Sequence, residues 1–117
     1  MVRVIAMPAD TNPNGDIFGG WLLSQMDLAG GTLASRTSRG RIVTVKIDTM
    51  TFLNPVHVGD EVSIYTRLLS VGTTSMKIDI AAWSRMRESD VSVKVTEGQF
   101  TYVAINQDRK PRAVVPA

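Results

Sequence analysis

The spacing of apolar residues changes at Gly40, and this change constrains the fold more than any other feature of the sequence. Before it, one helix is predicted from Ile17 to about Ser38, and Gly40 is expected to end it. Its apolar residues follow helical spacing, namely Phe18, Leu22, Ala29 and Leu33, with Trp21 and Leu28 beside them. A helix of this length spans about 30 Å, which is the width of a small domain.

After Gly40 the apolar residues alternate with polar ones, a period that predicts β-strands. With a first strand near the start of the chain, the expected strands are residues 2–7, 42–53, 62–71, 76–86 and 91–105. The connections are short, so neighbouring strands are expected to be antiparallel. One helix and one antiparallel sheet of about five strands predict an α+β domain. The helix is too apolar to lie on a surface, so the sheet is expected to curl around it.

The length of 117 residues suits a single domain over residues 1–117, with an irregular polar tail at residues 106–117. No apolar run is long enough to span a bilayer, and no leader peptide is recognisable, so no membrane insertion is expected. Cysteine is absent and His57 is the single histidine, which argues against disulfides, thiolate or histidine-rich metal sites. A cytoplasmic protein without a metal fits these exclusions.

The charge pattern argues against nucleic acid as a partner. The formal net charge is only +2, and the lysines and arginines are scattered along the chain. Nucleic-acid binding favours a dense basic stripe with interleaved aromatic residues, which this sequence lacks. Small basic clusters instead suit a small phosphorylated ligand.

Residues 12–31 are the stretch most suggestive of chemistry. Turn-forming residues lead into the helix through Gly19 and Gly20, where bare N–H groups carry the positive end of the helix dipole. Asp27 follows about two turns later in an apolar segment, where an acid needs a partner or a role. Such donors and a carboxylate suit acyl transfer, although a core helix with an exposed Asp27 remains an alternative.

The glycine pair Gly30-Gly31 also needs an explanation, because each glycine costs a helix about 1 kcal/mol relative to alanine. Close approach of another backbone or of an acyl chain is one interpretation. Close packing of the helix under the sheet is the other.

Six motifs follow one another along the chain. They are Ala6-Met7-Pro8-Ala9-Asp10-Thr11-Asn12, Asn14-Gly15-Asp16-Ile17-Phe18-Gly19-Gly20-Trp21, Ser24-Gln25-Met26-Asp27, Gly40-Arg41-Ile42-Val43-Thr44-Val45, Met50-Thr51-Phe52-Leu53-Asn54-Pro55 and Val58-Gly59-Asp60. In this order they resemble the hotdog-fold acyl-CoA thioesterases, and in particular the small bacterial broad-specificity acyl-CoA hydrolases. The resemblance covers residues 6–103. The resemblance implies a hotdog fold, hydrolysis of acyl-CoA, and a homodimer with active sites at its interface. Further assembly into a hexamer, a trimer of dimers, is also implied.

The resemblance also assigns catalytic roles. Asp27 matches the catalytic carboxylate, acting as general base on water or as nucleophile on the thioester. Asp16 lies at the position that neighbours the thioester in relatives, although an Asx cap of the helix is an equally good interpretation. The amides of Gly19 and Gly20 match the helix start that polarises the thioester carbonyl. Thr44 matches a polar residue that faces the reacting group.

Coenzyme A enters as part of the substrate, so no separate cofactor is expected. We expect Gly19, Arg41, Lys77 and Arg112 to contact it, since guanidinium and ammonium groups suit its phosphates. One departure from the family concerns Thr73-Thr74-Ser75, where relatives often carry an arginine before the serine.

Two other functions compete with hydrolysis. Asp10-Thr11-Asn12-Pro13 is similar to the start of hotdog hydratases, but Asn14 and Gly15 stand where those enzymes need a histidine. A non-catalytic acyl-CoA sensor would use the fold only for binding, and the intact Asp27 argues against it.

Overall fold

The computed structural model describes residues 2–11, 17 and 19–114. Within these residues lie one long helix, five strands and a short 3-10 turn at Pro8–Asp10. The elements are β1 (Val2–Ile5), α1 (Gly19–Ser38), β2 (Ile42–Phe52), β3 (Glu61–Val71), β4 (Ser75–Arg85) and β5 (Ser92–Ala104). The predicted α+β architecture is therefore confirmed. No helix in this part of the chain is both long enough and apolar enough to cross a membrane.

The five strands form a single antiparallel sheet in the order β1-β3-β4-β5-β2. The short turns after β3 and β4 make hairpins, as predicted. The connection between β2 and β3 does not, because β2 pairs with β5 and β3 pairs with β1 and β4. Residues 53–60 therefore carry the chain across the sheet, and β2 is left at its edge.

One face of the sheet packs on α1. Strand β4 alternates strictly, and its fully buried residues Met76, Ile78, Ile80 and Ala82 form the centre of the core. The helix contributes a matching stripe of buried residues, which are Leu22, Met26, Ala29, Gly30, Ala34 and Ser38. Leu28, which lies beside the predicted apolar stripe, is 62% exposed in the single chain.

The helix begins later than predicted. Ile17 lies in an extended bridge with Thr11, and its N–H donates to the carbonyl of Val56 at 3.1 Å. It therefore precedes the helix, which starts at Gly19. Phe18 and the candidate site residue Asp16 lie outside the described residues.

The helix ends at Ser38, close to the predicted stop. Arg39 follows it in the left-handed conformation, with φ of 56°, and the N–H of Gly40 donates to the carbonyl of Ser35 at 3.2 Å. This is the bond of a Schellman motif. Gly40 is needed for a different reason, because a Cβ there would collide with the guanidinium of Arg112.

Candidate active site

Asp27 lies on the third turn of α1, half-buried, with its carboxylate held by two hydroxyl groups from the sheet. The Oγ1 of Thr44 donates to Oδ1 of Asp27 at 2.7 Å. The Oη of Tyr102 donates to the same Oδ1 at 3.0 Å and to the backbone carbonyl of Asp27 at 3.2 Å. Within the described part of the chain, Oδ2 of Asp27 accepts no hydrogen bond.

The register of the sheet explains why these two hydroxyls converge. Thr44 on β2 pairs directly with Tyr102 on β5. Directly opposed residues in an antiparallel pair point their side chains to the same face, here the face that packs on α1. The predicted neighbour Thr44 and the predicted carboxylate Asp27 are thus brought together.

Tyr102 was not predicted from the sequence. It is fully buried, and its ring stacks on that of Phe100 with centroids 6.3 Å apart. Burial raises the pKa of Tyr102 well above its usual range, and the adjacent Asp27 charge and hydrogen bond raise it further. The phenol therefore keeps its proton and acts as a donor. A single buried tyrosine in an alternating strand resembles any core residue, so only the strand register reveals its contact.

Asp27 opens into a cleft of about 550 Å³ between α1 and β2. Thr44 and Tyr102 lie beside it, and Gly31 lines the cleft wall. Two exposed arginines, Arg36 and Arg41, are also among the lining residues, and neither forms an ion pair with any residue that the structure describes. The predicted ligand contact Arg41 is thus in the same cleft as the predicted carboxylate.

The start of α1 faces a different cleft of about 330 Å³, lined mainly by apolar side chains. Gly19 lies in its wall, and a Cβ on Gly19 would contact the ring of Phe52 at 3.5 Å. A Cβ on Gly20 would meet no atom within 4 Å among the residues that the structure describes. Other apolar residues of this cleft are Ile17, Leu22, Leu53, Pro55 and Val95.

The helix start and Asp27 are separated along the same helix. Gly20 and Asp27 are seven positions apart, which is about 10 Å at 1.5 Å per residue. Reacting groups must come within about 3 Å of one another. One thioester therefore cannot contact both features of a single chain.

The remaining predicted contacts lie farther from Asp27. Lys77 alternates with buried Met76 and Ile78, which places it on the face of the sheet opposite α1. The guanidinium of Arg112 donates to the carbonyls of Ile105 at 2.9 Å and of Ser38 at 3.0 Å. Arg112 therefore joins the C-terminal segment to the end of α1, and its contact with coenzyme A stays a prediction, as does that of Lys77.

Gly30 and Gly31 differ in the space around them. A Cβ on Gly30 would collide with the Oη of Tyr102 and would lie 2.5 Å from the Cδ1 of Ile80. A Cβ on Gly31 would meet Ile42 at 3.6 Å and Tyr102 at 3.8 Å, which are ordinary contacts. Close packing under the sheet therefore accounts for Gly30 and leaves Gly31 without a steric reason.

Comparison with known proteins connects this geometry to a family. Residues 14–89 match the family model described as the thioesterase superfamily. The chain is 51% identical over 117 residues to the acyl-CoA thioester hydrolase YciA of Escherichia coli (strain K12), covering 97% of this chain and 89% of that protein.

Solved structures agree with this match. The hexameric thioesterase y2039 from Yersinia pestis superposes with a TM-score of 0.93 at 49% identity, covering 99% of this chain and 94% of that one. An aspartate-to-alanine mutant of HI0827, a hexameric broad specificity acyl-coenzyme A thioesterase, superposes with a TM-score of 0.94 at 42% identity, covering 97% and 84%. The expected hotdog fold is thereby confirmed.

Proposed function

The chain belongs to the thioesterase superfamily and is an acyl-CoA thioester hydrolase, and we propose that Asp27 is the carboxylate that drives its reaction. The observation that carries the proposal is the arrangement of this side chain. Two hydroxyls hold Oδ1, while Oδ2 is left without a partner among the described residues beside an open cleft. A carboxylate held in this way is oriented toward whatever occupies the cleft.

The proposed reaction consumes one water and one acyl-CoA. Asp27 takes a proton from water as the oxygen attacks the acyl carbon, and the carbonyl becomes an oxyanion. Collapse of this intermediate breaks the C–S bond, and the coenzyme A thiolate leaves and takes up the proton. In the alternative route Asp27 attacks the acyl carbon itself, and the C–S bond breaks as the coenzyme A thiolate leaves and takes up a proton. Water then hydrolyses the mixed anhydride to the free acid and regenerates the Asp27 carboxylate. Neither route uses a metal or a separate cofactor.

The oxyanion needs hydrogen-bond donors, and we assign this role to the N–H groups at the start of α1 around Gly20. Since Gly20 and Asp27 of one chain lie about 10 Å apart along the helix, the two must come from different protomers. Each active site then combines the carboxylate of one protomer with the helix start of its partner.

The free edge of the sheet supports such an assembly. Strand β2 lies at this edge and exposes Val43, Val45 and Ile47 by 39–55%. A long apolar edge strand is an aggregation hazard unless another strand or element covers it. Together with the hexameric relatives, this argues for a homodimer at minimum and a trimer of dimers as the full assembly. Light scattering should show no stable monomer at micromolar concentration.

The two clefts suggest where the parts of the substrate lie. The apolar cleft beside Gly19 and Phe52 suits the acyl chain, and the guanidinium groups of Arg36 and Arg41 suit the phosphates of coenzyme A. The substrate of this proposal is therefore a coenzyme A thioester with an apolar acyl group, and we place its hydrolysis in the cytoplasm.

A kinetic experiment tests Asp27. Asp27→Asn keeps the size of the side chain but removes its basicity and nucleophilicity, so kcat should fall at least about 100-fold while coenzyme A binding persists. The assay is release of free thiol from acyl-CoA substrates from acetyl to palmitoyl, with calorimetry of coenzyme A binding as the control. A sensor would bind without any turnover in the wild type. Turnover of Asp27→Asn within a few-fold of wild type would make Asp27 structural and Asp16 the next candidate.

A mixing experiment tests the shared site. Inactive Asp27→Asn and inactive Gly20→Val chains are unfolded together and reassembled at equal concentration. Random pairing makes about half of the dimers mixed, and each mixed dimer has one intact site of two, so about a quarter of wild-type activity should return. If Gly20 and Asp27 served the same site from one chain, no mixture would recover activity.

A further inference from the structure

We infer that Tyr102 is a positioning residue for hydrolysis, one that fixes the carboxylate of Asp27 so that Oδ2 alone faces the reacting water or thioester. The inference rests on the proposed role of Asp27 and adds to it a residue on a different strand. Tyr102 contacts no substrate atom in this scheme and acts only through Asp27.

The contacts of Tyr102 hold Asp27 at two points. Its hydroxyl lies 3.0 Å from Oδ1 of Asp27 and 3.2 Å from the backbone carbonyl of the same residue. With Thr44 donating to Oδ1 from the other side, the rotation of the carboxylate is restricted. Both hydroxyl donors thus occupy Oδ1 and leave Oδ2 as the acceptor.

The core is built to bring this hydroxyl to the helix. Tyr102 is fully buried between α1 and the sheet, and its ring stacks on Phe100. The hydroxyl reaches Asp27 across the space above Gly30, where a Cβ would collide with it. Gly30, although it weakens the helix, is therefore needed at the point where the phenol of Tyr102 passes over α1.

The protonation of Tyr102 suits a donor and not a base. Burial and the Asp27 charge both raise the pKa of Tyr102. The hydroxyl therefore keeps donating throughout the pH range in which the enzyme works, and the proton that leaves water is taken by Asp27.

The test is Tyr102→Phe, which removes one oxygen and keeps the ring. Because misplacement of a reacting group by about 1 Å can cost about 100-fold in rate, we expect kcat to fall between about 10-fold and 100-fold with KM unchanged within about threefold. The matched control is Tyr65→Phe on β3, since Tyr65 is exposed and its hydroxyl makes no hydrogen bond with any residue that the structure describes. It should leave kcat unaltered.

A double-mutant cycle separates positioning from a general effect on structure. In the Asp27→Asn background, Tyr102→Phe should change the residual turnover by less than about twofold, because the residue through which it acts is gone. The same fold-loss in both backgrounds would overturn the inference, as would an unchanged kcat or a rise in KM alone.

Two further results keep the outcome unambiguous. If Tyr102→Phe is poorly folded by circular dichroism, Thr44→Val tests the same oxygen from the exposed edge strand, with the same expected split between kcat and KM. In that case an unchanged kcat in Thr44→Val overturns the inference, just as an unchanged kcat in a folded Tyr102→Phe does. If Asp27→Asn itself retains turnover, the proposed function fails; if only the Tyr102 cycle fails, the proposed function stands without this residue.

Discussion

Gly30→Ala offers a sharp test of how the core supports the site, because the adjacent Gly31→Ala is a matched control. A methyl group on Gly30 would collide with the Oη of Tyr102, and it would lie 2.5 Å from Ile80 Cδ1 and 3.0 Å from Tyr102 Cζ. Both neighbours are fully buried, so moving either one disturbs its packing in the core.

The expected change in the free energy of unfolding is the sum of opposing terms. Overpacking a core costs about 1–3 kcal/mol, while replacing a helical glycine by alanine returns about 1 kcal/mol. If the collision also displaces the Tyr102 hydroxyl, a hydrogen bond to the charged Asp27 is lost, at about 1.5–3 kcal/mol. With the hydroxyl displaced, these terms sum to a fall in the free energy of unfolding of about 1.5–5 kcal/mol for Gly30→Ala.

Gly31→Ala should instead raise the free energy of unfolding. Its methyl group makes only ordinary contacts, at 3.6 Å and 3.8 Å, so the helix propensity term dominates. We expect the free energy of unfolding to rise by about 0.5–1 kcal/mol. The assay is urea unfolding followed by circular dichroism, at one fixed protomer concentration because assembly contributes to the stability.

Activity adds a second readout. Gly30→Ala should lower kcat, because the hydroxyl that positions Asp27 is pushed aside. Adding Tyr102→Phe and Ile80→Val to Gly30→Ala removes both colliding atoms, so it should recover the stability lost to overpacking but neither the hydrogen bond to Asp27 nor kcat. Equal stability of the two single alanine variants, or wild-type kcat in Gly30→Ala, would refute the reasoning.

Three further predictions address other parts of the molecule. Gly20→Val should fold normally, since a Cβ there would meet none of the described atoms within 4 Å, but should lose most turnover; near-normal turnover would remove the helix start from the mechanism. Arg112→Met should lower the free energy of unfolding by about 1.5–3 kcal/mol, because the hydrogen bonds to Ser38 and Ile105 are lost. Arg41→Met should instead raise KM for acyl-CoA without loss of stability. The reverse pattern would favour Arg112 as the phosphate contact. Since the pKa of Tyr102 is raised above 10.0, the stability that it contributes is complete below about pH 10 and is lost as pH rises above it. Urea midpoints at about pH 8 and pH 11 should therefore differ less for Tyr102→Phe than for wild type, and equal differences would contradict this.

The sequence allows the elements of this fold to be predicted better than their arrangement. A change from helical to alternating spacing at Gly40 is a local signal, so the helix and the strands after it are found within a few residues of their true bounds. The crossing of the chain from β2 to β3 is not local, because it depends on which strand edges bury most surface. Leu28 fits helical spacing as well as its neighbours do, yet it lies on the face that the single chain leaves exposed.

The site shows the same division between local and non-local information. Asp27 and the glycines at the helix start stand out because they conflict with a buried apolar helix. Tyr102 conflicts with nothing, and its hydroxyl reaches Asp27 only because the register pairs it with Thr44. Register depends on turns and on breaks such as the one between Thr44 and Lys46, which a single sequence does not specify.

Strand β2 connects the site to the assembly. Thr44, the second donor to Asp27, lies on this edge strand, whose outer side has no strand beside it within the described residues of one chain. If protomers pair along β2, the same contact that supplies the partner's helix start also fixes the backbone that carries Thr44. Separation of the protomers would remove the oxyanion donors and loosen the hold on Oδ1 together. Hydrolysis is therefore expected to belong to the assembled protein, because the isolated chain lacks the partner's oxyanion donors and carries Thr44 on an edge strand that no neighbouring strand supports.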